Sequence, residues 1–189
     1  MSRAVYAAAA IAIALTACNK QPSHSNGSVT NEASNAAPGK EAMSNTAAPA
    51  GNIDAAFVTE AMKADNGEVA LGTLAQQKGS SSAVKDLGKM LATDHAAHKR
   101  QVAAVAQSAN IPVTNDLKEE AKDEQAKLQA LSGAAFDKEF ARATVEAHKK
   151  DIAKFEQQAK SGDRQTAAMA SKTLPTLRKH LQAAEALER

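Results

Sequence analysis

The sequence predicts an all-α protein, an antiparallel four-helix bundle with one additional short helix. From Asn52 onward, apolar residues recur with the 3.6-residue period of amphipathic helices, while Gly, Ser and Pro fall mostly between the periodic stretches. No alternating run suited to a strand interrupts them. At 189 residues with 43% apolar side chains, the chain can bury one core and has the size of one domain. Aromatic residues make up 3% and Trp is absent, so stacking platforms for bases are poorly supplied. With 23 basic against 21 acidic residues there is no polybasic surface, and nucleic acid is excluded as a partner. The single Cys excludes an intramolecular disulfide framework.

Residues 1–18 read as a secretory signal. One charge, Arg3, precedes an apolar run over residues 4–15 that is too short for the roughly 20 residues a membrane crossing needs. Leu15-Thr16-Ala17-Cys18 resembles the bacterial lipoprotein lipobox, which implies cleavage before Cys18 and acylation of that residue. More than one acyl chain makes such an anchor stable, because each buried CH₂ contributes about 0.8 kcal/mol. Asn19 follows the Cys where Asp is the usual inner-membrane retention signal, so the expected location is the outer membrane, facing the periplasm. The competing reading is an ordinary signal cut near Ala17 that leaves a free thiol. Residues 19–51, rich in Ser, Asn, Ala and Pro without Leu, Ile or Phe, cannot bury enough apolar surface to order themselves. They read as a disordered tether, with His24 solvated inside it.

Residues 52–189 form the bundle domain. Phe57, Ala61, Ala64, Glu68, Leu71 and Ala75 share one face of a first long helix ending near Gly79. Ser80-Ser81-Ser82 can cap a second, whose stripe is Val84, Leu87, Leu91, Asp94 or His95, His98, Val102, Val105 and Ala109. Ile111-Pro112 ends it. Asp116 and Glu119 have capping-box spacing and open a shorter helix through Leu128, closed by Ser132-Gly133. Ala141, Val145, His148, Ile152, Phe155 and Ala159 follow, then a turn at Ser161-Gly162-Asp163. The last stripe is Ala170, Thr173, Leu177, His180, Ala184 and Leu187, with Pro175 expected to kink its helix.

Each long helix therefore places a metal-capable side chain on its apolar stripe: Glu68, then His95 with Asp94 and His98, then His148, then His180. All stand near the middle of their helices and can meet at one level of the core. A buried carboxylate costs less when a cation or a hydrogen-bonding His faces it. The leading reading is a structural polar cluster satisfied by backbone carbonyls, by Glu68 and by the imidazoles themselves. The alternative is a metal site; several imidazoles with one or two carboxylates suit zinc, copper or iron better than magnesium or calcium.

The order Glu68, Asp94-His95, Leu131-Ser132-Gly133 with Phe136-Asp137, His148, then Leu174-Pro175 with His180 resembles domain-of-unknown-function family 4142 over residues 53–187. Its members are often labelled outer membrane or exported proteins. The resemblance implies a ferritin-like bundle and makes Glu68, Asp94, His95, His148 and His180 the family's polar positions, with His98 outside that pattern. Di-iron members of ferritin-like folds carry Glu-x-x-His on two helices. Here His95, Val145 and Leu177 stand three residues before His98, His148 and His180, so ferroxidase chemistry is in doubt.

The leading function is thus a non-enzymatic envelope lipoprotein with a binding or stress-related role, attached to the membrane through its lipid. The alternative is a metal-binding or redox protein using the Glu/His cluster. Nucleophilic catalysis has no support, since the only Cys serves the anchor and neither a Gly-x-Ser-x-Gly elbow nor a phosphate-binding Gly-rich loop is present. Insertion of an amphipathic helix into a membrane competes with the bundle for the same stripes. No protein partner is legible. Metabolic labelling with a fatty acid should mark the protein and lose the mark in Cys18→Ala; equal labelling of both would contradict the anchor.

Overall fold

The first helix starts where a carboxylate stops the backbone N–H groups from going unpaired: Asp54 accepts from the Phe57 N–H at 2.9 Å. It opens α1 (Ala55–Lys78), followed by α2 (Ser82–Ser108), α3 (Glu119–Ala130), α4 (Gly133–Ala159) and α5 (Arg164–Leu187) in a computed structural model that describes residues 53–160 and 163–189. The signal, Cys18 and the tether lie outside the described residues, as do Asn52, Ser161 and Gly162. There is no strand among the described residues, and no helix there is long and apolar enough to cross a membrane.

Local signals place several of the helix ends. Gly79 closes α1, donating to the Ala75 carbonyl at 2.9 Å, and the Ser81 hydroxyl caps α2 by accepting from Val84 N–H at 3.2 Å. Asp163 caps α5, accepting from the N–H groups of Gln165 and Thr166, and also accepts from Asp54 N–H at 2.8 Å. That last bond pins the starts of α1 and α5 together. Asp137, near the start of α4, accepts from the N–H groups of Ser80 and Ser81 and from the Ser80 hydroxyl, which pins the α1–α2 turn to α4.

The expected capping box at Asp116 and Glu119 does not form. α3 begins at Glu119, and its cap residue, Lys118, makes no side-chain capping bond. The cause is tertiary: the Asn66 side-chain amide, buried on α1, donates to the carbonyls of Asp116 at 2.8 Å and Thr114 at 3.2 Å and draws this segment onto α1. Ser132 likewise makes no side-chain capping bond at the start of α4.

Two apolar clusters reveal the chain direction. Leu71, Leu74, Val84, Leu91, Phe136 and Phe140 pack together at one end, bringing there the end of α1, the starts of α2 and α4, and Ala184 near the end of α5. Val58, Met62, Val102, Phe155, Leu174 and Leu177 pack at the other. The path is therefore up, down, then a long return through α3, down and up, a four-helix bundle with one long crossover of the ferritin-like kind. The α1–α2 and α4–α5 hairpins are its most extensively packed pairs. Between the clusters runs a layer of buried polar groups to which every long helix contributes: Asp65 and Glu68, His95, His148 and Asp151, and His180.

α1 and α2 approach each other across glycine. A Cβ on Gly88 would lie 2.7 Å from the Gly72 carbonyl oxygen and 2.8 Å from the Ala75 Cβ, so backbone would have to move to accept it. Gly88→Ala should lower the urea midpoint by the equivalent of about 1–2 kcal/mol, overpacking outweighing the better helix propensity of Ala. An unchanged or raised midpoint would contradict this contact.

Candidate metal centre

In the polar layer Asp65, 2% exposed, meets two imidazoles from α2. His95 Nδ1 donates to its Oδ1 at 2.9 Å, and His98 Nδ1 to its Oδ2 at 2.9 Å. Burial alone would push this carboxyl up, but the two imidazole hydrogen bonds and the positive charge they bring hold it below the usual carboxylate value. For His95 burial works against the charged form and is overcome by the Asp65 hydrogen bond and by the charges of Glu68, Asp65 and Asp151, so its value is raised. His180 moves the other way, to about 4: burial disfavours its cation, the Asp94 hydrogen bond opposes this, and the neighbouring His95 and His148 add repulsion.

The hydrogen bonds assign the ring protons. His148 Nδ1 lies 3.0 Å from the Thr144 carbonyl oxygen, which only accepts, so Nδ1 carries the proton. His180 Nε2 donates to Asp94 Oδ2 at 2.9 Å. His98 Nε2 is left buried without any partner. The other nitrogens left over are His95 Nε2, likewise buried without a partner, and His148 Nε2 and His180 Nδ1, which face each other at 3.2 Å with no proton to share when both rings are neutral. One nitrogen from each of these rings falls within 4.8 Å of the other two. The ring centroids are spaced 5.6, 5.2 and 5.3 Å apart, a nearly regular triangle. Tetrahedral zinc with bonds near 2.1 Å would need donor nitrogens about 3.4 Å apart, which lies between the 3.2 Å separation of His148 Nε2 and His180 Nδ1 and the 4.8 Å within which all three nitrogens fall. Each imidazole also has the outer partner that ligating histidines usually have: the carboxylate of Asp65, the carbonyl of Thr144 and the carboxylate of Asp94.

Three of the residues read from sequence thus converge, His95, His148 and His180, exposed by 4%, 0% and 0%. Two stand differently from expectation. Asp94, its side chain 35% exposed, backs His180 from outside the triangle. Glu68 is buried but reaches no closer than 3.9 Å to His148 Nδ1, beyond hydrogen-bonding range, because the Thr144 carbonyl already holds that nitrogen. Besides Asp94, which bonds His180, a second carboxylate bonds histidines: Asp65, absent from the residues expected from sequence, holds His95 and ties His98 into the layer. The sequence signal for Asp65 is its position three residues after Met62 and three before Glu68, on the same broad face. The carboxylate-rich ligand set of di-iron bundles does not fit here, since imidazoles supply the converging atoms and the carboxylates stand behind or beside them.

Fold and layer together define a ferritin-like helical bundle with a histidine-centred core. The chain belongs to the family described as domain of unknown function (DUF4142), whose model matches residues 39–187. Its fold is similar to the crystal structure of a DUF305 fragment from Deinococcus radiodurans, with a TM-score of 0.66 and 16% identity over 74% of this chain and 97% of that one. No curated protein matches the chain.

The shifted histidines make stability depend on pH in opposite senses. Between 6.5 and about 4 an unfolded chain binds a proton that folded His180 refuses, so stability falls as pH drops through that window. His95, with its value raised, contributes stability that is complete below 6.5 and lost as pH rises through its folded value. In chelator-treated protein the urea midpoint should fall from about pH 6.5 to about pH 4.5, and His180→Asn should flatten that limb. The same slope in both proteins would contradict the assignment for His180.

Proposed function

We propose that the protein is a transition-metal-binding lipoprotein of the bacterial envelope, holding one zinc, copper or iron ion on His95, His148 and His180. The observation that carries this reading is the convergence of one buried ring nitrogen from each of His95, His148 and His180 within 4.8 Å of one another. His95 Nε2 is buried with no partner, and the His148–His180 contact joins two lone pairs when both rings are neutral. A purely structural cluster would leave both features costly, whereas one cation removes both. Imidazole donors favour zinc, copper or iron over magnesium and calcium. Binding rather than turnover is the role we assign, because rings exposed by at most 4% leave room for an ion and not for a larger substrate. The lipobox-like Leu15-Thr16-Ala17-Cys18 supports attachment at the outer membrane, with the bundle held in the periplasm by the tether.

Metal analysis after incubation with zinc should give one ion per chain. His148→Ala combined with His180→Ala should lose it, and Asp65→Asn, which removes an outer partner, should weaken it about 10–100-fold. Equal zinc uptake by the wild type and the double variant would overturn the assignment.

A further inference from the structure

Imidazoles this deeply buried need a route by which an ion reaches them. A cavity of about 450 Å³ lies between α1, α3 and α4, lined by seven carboxylates against four lysines. Its wall includes Glu68, Thr144 and Asp151, and each touches or acts on the histidine layer. The Thr144 carbonyl accepts from His148 Nδ1, Glu68 Oε1 stands 3.9 Å from that same nitrogen, and the charges of Glu68 and Asp151 both act on His95. Asp151 already holds a side-chain cation, the Lys118 ammonium, at 3.4 Å, so this part of the cavity stabilises positive charge.

Glu68 is the member common to cavity and core. Its side chain is 7% exposed, and among the described residues it accepts no hydrogen bond, the His148 contact being too long for one. Because it lines the cavity and has no protein donor, its carboxylate is free to meet a cation there. Its neighbours in the cavity wall include Ala64 and Ala147, whose side chains are small.

Building on the three-histidine reading above, we propose that the α1–α3–α4 cavity is the loading path for a divalent transition-metal cation, and that Glu68 takes the ion from the cavity and passes it to the three imidazoles. The surplus of carboxylates concentrates cations at the mouth, an effect that raises association rates by roughly 10- to 1,000-fold in charged clefts and weakens with salt. Glu68 then exchanges its place beside the ion for nitrogen donors one imidazole away. The carboxylate is a positioning group for entry, and the histidines remain the resting donors.

Stopped-flow loading of the full-length protein with cobalt(II), followed by the visible absorption that four-coordinate cobalt(II) develops, separates the two claims. Glu68→Gln and Ala147→Arg should each slow loading by about tenfold or more, while Asp86→Lys, exposed on α2 and outside the cavity, should load at the wild-type rate. Should Ala147→Arg lose its helical circular dichroism, Asp123→Lys at the exposed side of α3 tests the same path without touching the core. Wild-type protein that takes up neither cobalt nor zinc would remove the metal centre itself, and the path with it. Wild-type loading with unchanged rates in the cavity variants would leave the centre standing and overturn the path. Slowing in Glu68→Gln alone would overturn it too, because an ion entering elsewhere meets Glu68 only at the end; slowing in Ala147→Arg alone would strip Glu68 of its role.

Discussion

A carboxylate buried halfway along a helix can remain ionised only if donors surround it, and Asp65 sets that condition for the whole bundle. Its two donors, His95 and His98, stand three residues apart on α2 and therefore on one face of it. Their bonds of 2.9 Å fix the height at which α1 meets α2, while the close approach at Gly72 and Gly88 fixes the distance. Once the His95 Nδ1–H donates to Asp65, its other nitrogen is committed to the interior, where the rings of His148 and His180 stand 5.6 and 5.2 Å away by centroid. The triangle of imidazoles follows from how Asp65 is neutralised.

Around this layer the core is ordinary. Two apolar clusters, one above and one below, supply the burial that holds four helices together, and replacing the polar layer by apolar side chains of similar volume would often be neutral or stabilising. On the metal-binding reading proposed above, a bound ion would offset what the polar layer costs. The arrangement of three converging ring nitrogens, each ring backed on its far side by a carboxylate or a carbonyl, is the form that metal-binding histidines take. Glu68 and the acidic cavity extend the same logic outward, since a sealed centre needs a charged approach.

Much of this was legible in the chain. His95, His148 and His180 stand at core positions between apolar neighbours such as Leu91 and Val102, Val145 and Phe155, and Leu177 and Ala184, so their burial near mid-helix follows from periodicity. Asp65 was not, because α1 is buried on a wide face: residues 65–68 are all buried, and a run of four cannot be assigned to one stripe. The start of α3 was misread for a related reason. Asp116 and Glu119 offer a local signal, yet Asn66, 50 residues away in sequence, claims the Asp116 carbonyl. Which nitrogen of each ring carries the proton depends on the Thr144 carbonyl and on carboxylates from other helices or turns, and spacing alone does not contain it.

The assignment of ring nitrogens is the central claim, and long-range ¹⁵N–¹H correlation spectra of the zinc-saturated protein test it most directly. The account predicts that His95 and His148 keep their proton on Nδ1 and bind through Nε2, that His180 keeps its proton on Nε2 and binds through Nδ1, and that the three binding nitrogens shift together on addition of one equivalent of zinc. Ring nitrogens that do not respond to zinc, or His148 bound through Nδ1, would contradict it.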